Sequence, residues 1–153
     1  MSEYLQTVFD KFELRVHKGY YYTEDGLWAG VEGARIRVGV TDYLQRTGGD
    51  VAFVDLVVKP GSTVQTQTEI GTLETAKTTV SLLSPISGTI EEANGMLLEK
   101  PELVNSDPYG EGWLIILTSH SLEGDLKSLM GADDYFKLML KKLETESKKL
   151  ESR

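Results

Sequence analysis

The spacing of hydrophobic positions changes twice along the chain. Over residues 2–12, Leu5, Val8, Phe9 and Phe12 recur at helical intervals, which predicts a short amphipathic helix standing as an appendage. Beyond it come short stretches rich in Tyr, Val and Ile, at 20–23, 27–31 and 34–40, which read as strands. In the last of these Ile36, Val38 and Val40 point one way and Arg35 and Arg37 the other, so one face is buried. Thr41 or Asp42 caps a brief helical turn through Gln45, closed by Gly48 and Gly49 ahead of the apolar run 51–58.

Turn signals then punctuate the chain. Pro60-Gly61 is one, and Ser84-Pro85 with Gly88 behind it is another. Between them lie two strand candidates, 69–73 and Thr79–Leu83, joined by a polar tip of Glu74, Thr75, Ala76, Lys77 and Thr78, which is the pattern of a hairpin. Strands at 88–92 and 113–117 flank a loop containing Pro101, Pro108, Gly110 and Gly112. Strands at this density, with turns every eight to twelve residues, predict a small sandwich or barrel. After Thr118 the spacing becomes helical again, through Leu126, Leu129 and Met130 and then Phe136, Met139, Leu140 and Leu143. The fold class is therefore mostly β with terminal helices, and residues 141–153 form a polar tail expected to fray.

Composition narrows the chemistry. The 153 residues suit one domain with a real core. The net charge of −8 disfavours nucleic acid and anionic membrane as partners, because phosphate surfaces reward clustered Lys and Arg. Zero cysteines exclude disulfides, thiolate metal sites and a protein-borne dithiol, so redox chemistry has to come from a cofactor. The N-terminus lacks the pattern of a signal peptide and the apolar runs are too short to span a bilayer, which makes a cytoplasmic location the expectation. His17 and His120 have no acidic or hydroxyl partners at metal-site or triad spacing and read as surface or packing residues. Glu91-Glu92 and Asp133-Asp134 are adjacent pairs whose side chains diverge, so they read as solvated charges. Phosphate-loop and nucleophile-elbow motifs are missing.

Lys77 is the informative position. It sits at the apex of a hairpin with a rigid second turn close by, so it is accessible to a modifying enzyme and carried on a stiff support. The surrounding motifs are GSTV at 61–64, GTLETAK at 71–77, SPISG at 84–88 and PELVNSDPYGEGW at 101–113, with VGVTDY at 38–43 and GDVAFVDL at 49–56 upstream. Together, over about residues 22–137, they resemble the H proteins of the glycine cleavage system.

The resemblance implies a lipoyl-type barrel-sandwich hybrid over residues 19–140, preceded by an N-terminal extension at 1–18, with lipoate in amide linkage on Lys77. Biotinyl carriers share that architecture, but their lysine is flanked by methionines, whereas Ala76 and Thr78 flank this one, which favours lipoate. Glu74, Thr75 and Ala76 are the flanking residues a lipoate ligase or lipoyl transferase would read. Such a protein is a carrier and not an enzyme, and tethering keeps its cargo at high effective concentration near each partner.

One departure bears on the cargo. Where H proteins carry His-Glu-Trp, with the glutamate lining the cleft that receives the aminomethyl-loaded arm, this chain has Gly26, Leu27 and Trp28. A leucine at that cleft position cannot hold an ammonium group. Leu27 and the N-terminal extension favour the related lipoate-binding proteins of sulfur-oxidising prokaryotes, which work with a heterodisulfide-reductase-like complex. The alternatives are a glycine cleavage H protein, serving glycine decarboxylase, aminomethyltransferase and dihydrolipoamide dehydrogenase, or an unmodified interaction protein on the same fold.

Overall fold

A computed structural model describes the backbone of residues 3–151 and the side chains of residues 3–147. The chain opens with β1 (Tyr4–Phe9), β2 (Phe12–His17), β3 (Tyr21–Tyr22), β4 (Leu27–Glu32) and β5 (Arg35–Val40), followed by α1 (Asp42–Gly48). Next come β6 (Val51–Leu56), β7 (Thr63–Val64), β8 (Glu69–Thr75), β9 (Thr79–Leu83) and β10 (Gly88–Ala93). The short helices α2 (Met96–Glu99) and α3 (Leu103–Ser106) lead to β11 (Ile115–Ser119), α4 (Leu122–Leu126) and α5 (Ala132–Glu151).

Two sheets enclose the main core. One has six strands in the order β3-β4-β5-β11-β10-β7, and the other has three in the order β6-β8-β9. Inward residues from both, among them Ile36, Val38, Ile70, Leu73, Leu82, Ile90 and Leu117, form one buried cluster. Alternation sets which side chains go in, since Leu73 and Thr75 of β8 are buried while Glu74 between them is exposed. Gly71 lies where β8 crosses β6, and a Cβ there would collide with the Asp55 carbonyl, so a larger residue would push the strands apart.

The N-terminal segment is a hairpin and not the expected helix. β1 and β2 pair in antiparallel register from Tyr4↔His17 to Phe9↔Phe12. Between them Asp10 and Lys11 both adopt positive φ, 48° and 73°, the geometry of a two-residue turn matched to strand twist. Nor is it an appendage. Leu14 and Val16 are buried in a second cluster with Tyr22, Trp28, Tyr109, Tyr135, Met139 and Leu143. The Tyr109 hydroxyl donates to the Arg15 carbonyl at 2.7 Å and the Tyr22 hydroxyl to the His17 carbonyl at 2.6 Å.

The expected loop at 94–112 contains α2 and α3. The expected polar tail is helical as far as Glu151, because Met139 and Leu143 anchor α5 to the second cluster, while residues 152–153 lie outside the described residues. Among the described residues no helix is long and apolar enough to cross a membrane.

Candidate functional site

Lys77 occupies the turn between β8 and β9, and its side chain is exposed. Among the described residues its ammonium has no hydrogen-bond or ion-pair partner. The turn that carries it is held from within by Thr75, whose amide donates to the Thr78 carbonyl at 2.8 Å. The Thr75 hydroxyl donates to that same carbonyl at 2.9 Å and accepts from the Thr78 amide at 3.1 Å. Thr75 is buried, so it shapes the turn and is not displayed to a modifying enzyme. Glu74 and Ala76 are exposed and available to one.

The turn is also held from outside. The Ala76 amide donates to the Asp50 carbonyl at 2.9 Å and the Lys77 amide to the Gly48 carbonyl at 3.2 Å. Gly48 makes room for this contact, since a Cβ there would come within 3.0 Å of the Thr75 side chain. Gly49 follows at φ 85°, a backbone conformation that suits glycine. Thr41 starts α1 as expected, its hydroxyl accepting from the Leu44 amide at 3.2 Å.

Asn105 of α3 fixes this Gly48–Asp50 segment. Its amide group donates to the Gly49 carbonyl at 3.2 Å and to the Gln45 Oε1 at 2.9 Å, and its Oδ1 accepts from the Val51 amide at 2.8 Å. Beyond Gln45 the polar chain continues to Asp42, which is buried and accepts from the Arg15 backbone amide at 2.9 Å and from Arg15 Nε at 3.3 Å. Burial acts most strongly, against the charge on Arg15, but the charge and hydrogen bond of Asp42 together with Tyr4 and Glu13 leave the Arg15 pKa raised. Side-chain spacing gave no hint of Asn105. Its only signal is membership of the 101–113 motif.

Leu27, the expected cleft position, is 1% exposed inside the main core and pairs with Val40 across β4 and β5. His17 stacks on Tyr20 with ring centroids 3.9 Å apart, a packing role, and His120 is a surface residue whose Nε2 lies 2.8 Å from the Thr89 hydroxyl. Among the described residues no group of acidic or histidine side chains could hold a metal ion.

The outer face of the small sheet continues from the turn. Phe53, Glu74 and Thr79 share one row of the β6-β8-β9 sheet, with Asp55, Thr72 and Ser81 in the next. Phe53 is 65% exposed, and Leu98 of α2, beside it, is 77% exposed. Together they line a groove of about 420 Å³ with Val54, Asp55, Glu74 and Thr79.

Comparison with known proteins places these features in context. The family model described as glycine cleavage H-protein matches residues 20–142. A glycine cleavage system H protein of Bacteroides fragilis is 43% identical over 114 residues, covering 74% of this chain and 89% of the relative. One from Thermus thermophilus is 40% identical over 120 residues, covering 78% and 92%. Among solved structures, the crystal structure of a glycine cleavage system H protein from Mycobacterium marinum superposes with a TM-score of 0.70 at 32% identity. It covers 78% of this chain and 95% of that one. The architecture is accordingly the barrel-sandwich hybrid expected from the sequence. The β1–β2 hairpin precedes the matched region.

Proposed function

The chain belongs to the glycine cleavage H-protein family, whose members are lipoyl carriers and not enzymes, and from that premise we propose that Lys77 takes lipoate in amide linkage and serves glycine cleavage. The observation that carries the assignment is an unpaired, exposed ammonium on a turn whose backbone is held by Gly48, Asp50 and Thr75. These residues fit the group. A free amine is what an acylating enzyme needs, and a fixed turn keeps the attachment point still while the arm moves.

Acylation removes the Lys77 charge, and the bound dithiolane supplies the redox and group-transfer chemistry that a chain with no cysteine cannot. The protein's part is presentation. Glu74 and Ala76 offer an exposed approach beside Lys77, while Thr75 and Asn105 keep the turn in one conformation. The net charge of −8 favours encounter with basic faces on partner enzymes and speeds association more than it strengthens it. On this reading the partners are a lipoate ligase or lipoyl transferase, glycine decarboxylase, aminomethyltransferase and dihydrolipoamide dehydrogenase.

The relatives named for glycine cleavage support this pathway over sulfur oxidation. The burial of Leu27 in the core also weakens its use as an argument for a sulfur cargo. The test offers the lipoylated protein with its dithiolane oxidised to glycine decarboxylase with glycine, so that loss of CO2 forms the carbon–sulfur bond as the S–S bond breaks and leaves one free thiol, and then to aminomethyltransferase. Uptake of glycine's methylene carbon and its onward transfer are expected. A fully lipoylated protein that takes up none, yet accepts sulfur from a sulfur donor, would overturn the pathway.

A further inference from the structure

The outer face of the six-stranded sheet carries a cavity of about 280 Å³, separate from the Lys77 turn, which belongs to the other sheet. Ile36 and Val38 of β5 point into the core, so Arg35 and Arg37 point outward. Gly30, Arg37 and Ile116 stand in register across β4, β5 and β11, and all three line the cavity. Tyr20 and Trp113 add two aromatic walls. A Cβ at position 30 would come within 3.0 Å of the Tyr20 ring, so glycine lets that ring lie against the sheet.

The guanidinium of Arg37 is held in place. Its Nη2 donates to the Tyr20 hydroxyl at 3.2 Å and to the Tyr109 carbonyl at 3.3 Å, and its central carbon lies 5.4 Å from the centre of the Trp28 ring. Tyr20 is itself fixed, stacked between His17 at 3.9 Å and Trp28 at 4.9 Å. These contacts leave Nε and Nη1 of Arg37 without a partner among the described residues. Neither nitrogen is sealed from solvent, so both can donate to a guest of the cavity. Although the chain has 24 acidic residues, among the described ones none forms an ion pair with Arg37, whereas Arg35 pairs with Glu91 at 3.7 Å.

We propose that this cavity binds a small organic carboxylate with a flat, apolar body. The charge fixes one end of the ligand. An immobilised guanidinium with open donors and no counter-ion loses little freedom on meeting a carboxylate, because its geometry is set in advance. Two arginines against one glutamate, Glu32, give the lining a net charge of +1 on a chain whose total is −8. The walls fix the other end, since Tyr20 and Trp113 offer ring surface to a planar body, which inorganic phosphate lacks. A volume of about 280 Å³ accommodates one ring with its carboxylate and excludes a peptide of several residues. The site shares no residue with the Lys77 turn, so binding there is independent of acylation.

The test uses the unmodified full chain with benzoate as the probe, benzamide as its neutral counterpart and inorganic phosphate as an anion without a ring. Binding is followed by NMR through the Arg37 Nε, Trp113 indole and Gly30 amide signals. Benzoate is expected to shift all three and to bind about tenfold more tightly than benzamide, the difference a charge-assisted hydrogen bond makes. Phosphate should bind more weakly than benzoate. No shift at these residues with benzoate, or an affinity for benzamide or phosphate equal to that for benzoate, would overturn the proposal. Arg37→Gln, checked for folding by circular dichroism, should lose the preference for benzoate over benzamide, and a folded variant that keeps it would also overturn the proposal. If Arg37→Gln does not fold, the three titrations of the wild type decide alone.

Discussion

Removing the Asn105 side chain should loosen the Lys77 turn from a distance. Asn105→Ala deletes three hydrogen bonds, those to the Val51 amide, the Gln45 side chain and the Gly49 carbonyl. Gln45 is 1% exposed and Val51 6%, so their polar groups are left with little access to water. An orphaned buried group costs about 1–3 kcal/mol, but Asn105 is itself partly exposed and its space admits water, so the total should be about 2–4 kcal/mol. For a domain of this size that lowers Tm by roughly 5–12 °C. Urea denaturation measures the loss, with Ser106→Ala, one residue along and exposed, as the control. Hydrogen exchange supplies the local readout. The Ala76 and Lys77 amides donate to Asp50 and Gly48 on the segment that Asn105 holds, so they should exchange faster in the variant. A stability change below about 0.5 kcal/mol, within the range of neutral surface substitutions, together with unchanged exchange at those two amides, would refute this role of Asn105.

Three further outcomes follow from the packing. Leu27→Glu places a carboxylate at a 1% exposed core position, which should cost about 4 kcal/mol or more and leave little folded protein by circular dichroism. A stable variant that retained its cargo better would show instead that Leu27 borders a cleft. Deleting residues 3–17 removes the buried Leu14 and Val16 and the Arg15–Asp42 contact, so thermal unfolding should show a loss of about 3–5 kcal/mol. An unchanged Tm would mean the hairpin is an appendage after all. Burial raises the phenol of Tyr135 to about 12 and lifts those of Tyr22 and Tyr109 well above 10. A raised folded-state pKa means stability that is complete below about pH 10 and lost as pH climbs through 12. Ultraviolet titration should therefore show these three of the seven tyrosines ionising only as the fold is lost, and all seven ionising near pH 10 with native circular dichroism would contradict the packing.

The strands of the main core were legible because alternation at 34–40 and the turn signals at 60–61 and 84–88 depend only on local chemistry. The Lys77 turn was legible for the same reason, being a polar tip between two apolar runs. The N-terminal hairpin was not. Leu5, Val8, Phe9 and Phe12 fit a helical period by coincidence of spacing, while the turn rests on Asp10 and Lys11 at positive φ, which few non-glycine pairs signal. Position in a motif could not tell which side of β4 Leu27 faces, and its burial in the main core was not legible in the sequence. The groove joins Phe53 and Leu98, and Asn105 reaches back to Gly49. Both depend on tertiary contacts between segments far apart in sequence, which no periodicity encodes.

The central claim is that one lysine on a braced hairpin turn is a cofactor handle. Intact mass spectrometry with peptide mapping, after co-expression with a competent lipoate ligase, tests it most directly. A gain of one lipoyl group located on Lys77, absent in Lys77→Arg, is predicted. A wild-type chain left unmodified while the same ligase lipoylates another carrier in that culture, or a lipoyl group on a different lysine, would contradict it.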